Sequence, residues 1–501
     1  MMKTEQDADI LIDGGGLSRL GPPTTVLLGL LVAAAIISSI VLADTTRDHT
    51  LLALSFLLFF VALAVIAWNA RRRPFLVFAV ILFWLLLQNI VLAPLSRLAE
   101  PSTVRLLIGA KEVFFLLLIL ASVLHFAARL VKHGSGTFSV LWTDLVGLGF
   151  LAILIVAFVR GQANPFLTRA TYLRFFAILP VCYFVGRSLP LDARHLKAVF
   201  RLTVGAGAFL SLFGLVELFL LRDPFWKRAG VIEFFVAKGT AAWTATSIKF
   251  YNWYTWDFGF PLRRMISLIL EPTTLAEFLA GTTLMAAFSG FFPGLKRKAT
   301  VLLLLAGLVL SFGKGGWVIF MVGAFIILLK EHRTLAVFIG VLFLAFGALF
   351  IITNIQSGGS VPIHVRGFYE GARYAAGHPL GSGLGSGGVF AALFDPKQKF
   401  QGKESTLGSM LVQTGLLGTV VYVAFLLLLI RQLSRVSAAY SARTDGEPIH
   451  RSARVLSGCL VGIFLVSFFS ESAVGVIGTG IYLVLAGILH NFYPKKVVVS
   501  L

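Results

Sequence analysis

The sequence predicts an all-α, polytopic membrane helix bundle of about 12–14 transmembrane helices, with two long extracytoplasmic loops containing short helices. Three observations carry this expectation. Of 501 residues, 57% are hydrophobic and only 13% charged, with a mean hydropathy of +0.89, whereas soluble globular chains sit near half apolar and about a quarter charged. Apolar runs close to the ~20 residues that cross a bilayer recur along the chain. Lysine and arginine alternate between the intervening segments in the way that orients a membrane protein.

The runs fall at 24–43, 50–68, 74–95, 106–128, 138–159, 171–189, 197–221 and 264–290. A short pair follows at 299–313 and 315–330, then 335–353 and 406–430, and a second short pair at 455–470 and 474–491. Each pair reads as two crossings or as one bent element, which sets the range of the count. The first run follows an acidic leader and is long for a cleaved signal, so it reads as a retained span. The expected organisation is a cytoplasmic tail over 1–23, one membrane domain over 24–491 and a second cytoplasmic tail over 492–501.

A net charge of +20 in a soluble protein would suggest nucleic acid. In this chain the basic residues mark topology, and no nucleic-acid partner is expected. With the N-terminus inside, the inner segments hold Arg71, Arg72 and Arg73, then Arg187, Arg194, Lys197 and Arg201, then Lys296, Arg297 and Lys298, five arginines from 431 to 454, and Lys495 and Lys496. Short outer loops hold only Arg47, Arg97, Arg105, Arg160, Arg169 and Lys314. Both termini are therefore expected in the cytoplasm.

The outer loops 222–263 and 354–405 depart from this pattern, with six and five basic residues against three acids each. Anionic headgroups explain such an excess; so does an anionic substrate arriving at the outer face. The first loop also holds twelve aromatic residues between Phe225 and Phe260. Trp253, Tyr254 and Trp256 serve either an interfacial belt or a platform on which sugar rings stack.

Ionisable residues inside spans are functional candidates by default. Glu112, Glu217, Glu271 and Glu277 fall there, with Lys111 and Arg174. Seven residues separate Arg264 from Glu271, which places them on one face if the eighth span is helical throughout, and Pro272 is expected to kink it. Lys314, flanked by Gly313, Gly315 and Gly316, is expected at an outer turn where glycine N–H groups and an ammonium suit phosphate oxygens. The glycine-rich stretch 381–388 lacks the βαβ context of a dinucleotide site and reads as a flexible linker. Cys182 and Cys459 lie in apolar runs and offer no disulfide framework.

Several segments together resemble the O-antigen ligase and exopolysaccharide polymerase superfamily. They are Leu173-Arg174 with Pro180, Tyr183 and Arg187; Ser267, Glu271 and Pro272 with Phe278-Leu279; residues 311–316; Arg366 through Gly388; and Glu404 to Gly418. The resemblance implies a GT-C-like bundle in the bacterial inner membrane, acting as an inverting glycosyltransferase that needs no metal or other cofactor. It implies an undecaprenyl-diphosphate-linked glycan as donor, membrane lipid as surroundings, and chain-length regulator and flippase proteins as partners. Arg264, Lys314, Arg366, Arg174, Arg263 and Arg373 are then the expected diphosphate ligands. The family often carries Ser-Arg where this chain has Gly313-Lys314, which keeps the cation but loses a bidentate donor.

Inverting transfer needs a base for the acceptor hydroxyl. Glu404 is the first candidate, since it stands at a helix start where ligases carry a loop histidine. Glu271 comes next, then His378, whose place before Pro379 equally suits a turn; His364 and Glu370 have no distinguishing feature. Polymerisation of lipid-linked repeat units is the expected activity, and transfer to another acceptor by a ligase is the alternative. A lipid-linked oligosaccharide flippase is the competing class, although the halves of this chain show no repeat. Asp223, Glu233 and Asp257 are too far apart in sequence to suggest a metal site.

Overall fold

The computed structural model describes residues 74–97, 100, 104, 140–189, 191–237, 253–255, 260–356, 361–389, 391, 404–443 and 446–493. The expected spans at 24–43, 50–68 and 106–128, the two charged residues Lys111 and Glu112, and Trp256 lie outside the described residues, as does most of each tail.

The described chain is helical nearly throughout. In order come α1 (Pro74–Leu95), α2 (Trp142–Arg160), α3 (Phe166–Ser188) and α4 (Ala193–Val216), which runs through a π-turn (Glu217–Leu221) into α5 (Arg222–Arg228). After α6 (Val231–Ala237), β1 (Tyr254–Thr255) pairs antiparallel with β2 (Leu262–Arg263). Then follow α7 (Pro272–Phe288), α8 (Gly294–Leu310), α9 (Lys314–Glu331), α10 (Arg333–Gln356) and α11 (Val361–Gly377). The chain ends through α12 (Thr406–Tyr440), α13 (Glu447–Val466), a 3-10 turn (Glu471–Val474), a π-turn (Val476–Gly480) and α14 (Ile481–His490). Among the described residues five helices are long and apolar enough to cross a membrane: Pro74–Pro94, Trp142–Arg160, Ala193–Arg228, Thr406–Tyr440 and Glu447–Val466. The protein is an all-α bundle of membrane type.

Two helices form its centre. Every residue of α14 is buried, and α7 is buried along almost its whole length. Small residues let neighbouring backbones meet there, as membrane helices require where no hydrophobic force drives them together. Gly186 of α3 lies against the Val484 carbonyl, Gly487 against that of Tyr183, and Gly281 against the Tyr482 ring. Around this centre α9 packs on α7 and α13, and α12 packs on α13 and α2.

Contacts sort the connections between helices to two ends of the bundle. At the upper end, Arg160 donates to the carbonyls of Leu380 and Gly381 at 2.7 and 3.1 Å, and residues 467–475 meet the starts of α7 and α12. At the lower end, Arg187 donates to both carboxylate oxygens of Asp144 at 3.2 and 3.0 Å. Tyr183 donates to the same carboxylate at 2.6 Å, and its oxygen stands 3.0 Å from His490 Nδ1.

Two expectations about the eighth span are corrected, and the alternatives open for each short pair are decided. No α-helix covers residues 264–271, where Ser267–Ile269 form a single 3-10 turn: Pro272 occupies the first turn of α7, where its missing N–H costs nothing, so it starts the helix instead of kinking it. Arg264 and Glu271 therefore share no helix face. The first short pair is two separate helices, α8 and α9, joined by a tight turn at 311–313, and the second resolves into α13 and α14.

The glycine-rich stretch is an ordered inlay and no linker. α12 breaks at Gly415, whose φ of 69° lies in the left-handed region. This frees the carbonyls of Val412 and Gln413, which accept from the N–H groups of Ser382 and Gly383 at 2.9 and 3.0 Å. The Gln413 amide accepts from Gly385 N at 2.7 Å and donates to the Gly387 carbonyl at 3.1 Å. Gly388 (φ 84°) lies against Tyr172, Ser409 and Glu471 with no room for a methyl group.

Candidate functional site

Trp226, Trp253, Tyr254 and Arg263 of the first long loop serve the fold. Glu217, fully buried, accepts from Arg263 Nη2 at 2.6 Å, from Trp226 Nε1 at 3.1 Å and from the Ile266 N–H at 3.2 Å. Arg263 also donates through Nε to Asp223 at 2.8 Å, and Tyr254 donates to the other oxygen of that carboxylate at 2.8 Å. An acid buried at that depth needs such neutralisation. Arg263 is therefore already paired with two carboxylates, contrary to its expected place among the diphosphate ligands. Trp253 is buried against Trp226, with its Nε1 donating to the Leu270 carbonyl at 3.1 Å, so it offers no open face to a sugar. Tyr254 is held by Asp223 in the same cluster.

Arg264 likewise has an internal task. It donates to the carbonyls of Ser311 and Phe312 at 2.9 and 3.2 Å, closing the C-terminal end of α8, where carbonyls lack helical partners and a cation suits the dipole. Lys314 stands half-buried in the first turn of α9. The glycines around it allow α9 to touch α7: Gly313 and Gly316 abut Ala276, and Gly315 abuts Glu277. Close packing, rather than a display of N–H groups, explains them. Arg174 is exposed on α3.

A different set of groups converges at the upper end. Glu404 has a φ of 61°, strained for a residue with a side chain. The helix cap is its neighbour Ser405, whose hydroxyl accepts from the Gly408 N–H at 2.9 Å. This leaves the Glu404 carboxylate free of capping, and its Oε2 lies 3.2 Å from Nδ1 of His364 in the first turn of α11. Both side chains are partly open to the surface, at 32% and 23% exposure.

The contact depends on a crossing of α11 over α12 through Gly367, Gly371 and Gly408, where a Cβ on Gly371 or Gly408 would strike the opposing backbone. Arg366 and Arg373, seven residues apart and so on one face of α11, are both exposed. Arg366 is held by Glu370 at 2.5 Å. His378 stacks on Tyr374 at 4.3 Å just past the end of α11, where its Nδ1 lies 3.3 Å from the Tyr374 carbonyl. That is a helix-end role, away from Glu404.

Behind the pair lies a buried acidic layer. Glu471 accepts from the Val389 N–H at 3.4 Å. Burial pushes its carboxyl up to about 8, against the lowering by that N–H and the Ser409 hydroxyl, and the neighbouring Glu404 carboxylate adds to the rise. Next to it, Ser472 donates to Glu277 of α7 at 2.5 Å. Glu271 precedes α7 and accepts from the Thr273 hydroxyl at 3.0 Å. The starts of α7, α9 and α12 thus gather around residues 467–475.

Sequence reasoning missed Glu471 and Ser472, and it placed His364 last among the base candidates. The Ser-Glu-Ser run at 470–472 between two apolar stretches was a legible signal for the first two. Nothing local marks His364. Among the described residues, no group of three His, Cys, Asp or Glu residues converges as a metal site would. Compared with known proteins, the chain matches no family model and no curated sequence. The resemblance to glycan polymerases and ligases therefore stands on the quoted motifs alone.

Proposed function

We propose that the protein is a membrane glycosyltransferase of GT-C-like architecture that polymerises undecaprenyl-diphosphate-linked oligosaccharide repeat units at the outer face of the inner membrane. The Glu404–His364 pair carries this reading. A carboxylate fixing one imidazole nitrogen leaves the other to take a proton, and it stabilises the imidazolium that results. In an inverting transfer the acceptor hydroxyl gives its proton to His364 while its oxygen attacks the anomeric carbon. The bond from that carbon to the diphosphate breaks, and the diphosphate leaves with the electron pair. Lys314, Arg366 and Arg373 are the cations of the upper end that suit this leaving group.

A ligase is favoured by one observation: His364 brings an imidazole to Glu404, the position at which ligases carry their loop histidine. Purified protein in liposomes with a defined undecaprenyl-diphosphate oligosaccharide separates the readings. Ladders of product indicate polymerisation, single transfer to an added acceptor indicates a ligase, and translocation without new linkages would overturn both.

A further inference from the structure

A second site lies at the lower end of the bundle, opposite the Glu404–His364 pair. A groove of about 800 Å³ opens between the end of α7, the first half of α8, the α9–α10 corner and α13. One wall is hydrocarbon, from Val301, Leu302, Leu305 and Leu328. Arg297, Lys298, Arg451 and Arg454 also line it, and Glu331 is the one acid among the lining residues. Arg454 donates to Glu331 at 2.5 Å through Nη2, while its Nε is buried without a hydrogen-bond partner among the described residues. Arg451 pairs with Glu447 on its own helix.

The start of α8 adds to the imbalance. It has no side-chain cap and no acid in its first turn, and Lys296, Arg297 and Lys298 stand where the helix dipole favours negative charge. The first N–H groups of a helix have no partners within it. Arg297, Lys298, Arg451 and Arg454 thus line the groove close to the positive end of α8, beside apolar side chains such as Leu302 that are open to the surroundings. Water alone suits the charges and leaves the hydrocarbon wall exposed. A soluble anion has the same defect.

We propose that this groove binds an anionic phospholipid. Its phosphate lies among Arg297, Lys298 and Arg451, above the buried Nε of Arg454, and an acyl chain runs along Leu302 and Leu305. Basic pockets between helices at a membrane surface recognise anionic headgroups by this combination. The site is separate from the pair proposed for glycosyl transfer and does not depend on that reading.

The test uses the full-length protein in detergent with native mass spectrometry. Dioleoyl-phosphatidylglycerol and dioleoyl-phosphatidylcholine are added in turn, and inorganic phosphate serves as competitor. The expected result is selective retention of phosphatidylglycerol that excess phosphate does not displace. Arg297→Gln with Lys298→Gln should lower that retention about tenfold or more, the scale for two basic groups at an anionic headgroup. Arg451→Gln alone should lower it as well, and Leu302→Ser should weaken lipid retention without changing the net charge. Circular dichroism of each variant confirms the fold, which exposed Arg297 and Lys298 do not support. Equal retention of the two lipids, unchanged retention in the double variant, or displacement by phosphate alone would each overturn the proposal.

Discussion

Nδ1 of His364 stands 3.2 Å from Oε2 of Glu404 and joins the first turn of α11 to the residue before the cap of α12. Forty positions separate the two residues in the chain. On the proposed reading their meeting makes a loop carboxylate half of an acid–base unit, and the neighbouring polar side chains then divide into those with chemistry to perform and those that hold the fold.

That division is testable first at the pair itself. Glu404→Gln and His364→Asn should each lower turnover by about 10²–10⁴, the usual contribution of a positioned base. The double variant should be little worse than either single one, because the two act as a unit. Ser405→Ala should cost about 1 kcal/mol of stability through the lost cap while leaving turnover of the folded protein intact. Glycosyl transfer and thermal unfolding measured on the same samples distinguish these outcomes.

Two arginines that look alike in sequence should behave in opposite ways. Arg263→Ala strands the buried Glu217 and should destabilise by about 3–5 kcal/mol, read as a lowered unfolding temperature. Arg366 is 77% exposed and pairs along its own helix with Glu370, so Arg366→Ala should change stability by less than about 0.5 kcal/mol. Its activity should fall about tenfold, as expected for the loss of one charge-assisted phosphate contact.

Substitution within the glycine inlay should act on folding. At Gly388 a methyl group would overlap Tyr172 and Ser409, and the φ of 84° disfavours any side chain. Gly388→Ala should therefore lose most folded protein, seen as aggregation during size-exclusion chromatography, while Gly377→Ala, at a position with open space around it, should be tolerated.

Glu471 predicts a pH dependence of stability. Its folded carboxyl titrates at about 8, above the ordinary glutamate value of 4.5, so the folded state holds a proton that the unfolded chain has released. Stability should fall as pH rises between those values and level off above them. Glu471→Gln should remove that part of the decline; an unchanged unfolding profile in the variant would show that this carboxyl ionises freely in the fold.

Chelation checks the expected independence from metal. EDTA treatment of the purified protein should leave transfer unchanged. Loss of activity restored by magnesium or manganese would count against the proposed chemistry.

Much of the bundle was legible because hydrophobic length alone reports a membrane helix. The run at 74–95 coincides with α1, and Glu217 announced a need for a partner by its depth in an apolar run. The partner itself was not legible. Arg263, Arg264 and Arg366 are chemically identical, and only tertiary contacts show that the first neutralises Glu217, the second closes α8 and the third faces outward. His364 ranked low among the base candidates for the same reason, since its meaning arises where two helices cross. The glycines of 381–388 misled because composition does not distinguish freedom of the backbone from the need for a backbone to fit a narrow space.

The crossing of α11 on α12 has a consequence for how such a site varies. Gly371 and Gly408 bring the two backbones into contact, so the distance between imidazole and carboxylate is gauged by residues that have no side chain. A single added methyl group at either position would act as a spacer and part the two functional groups while leaving both in the sequence. Inspection of the two side chains alone would then describe an intact pair, although the calliper that holds them 3.2 Å apart had been opened.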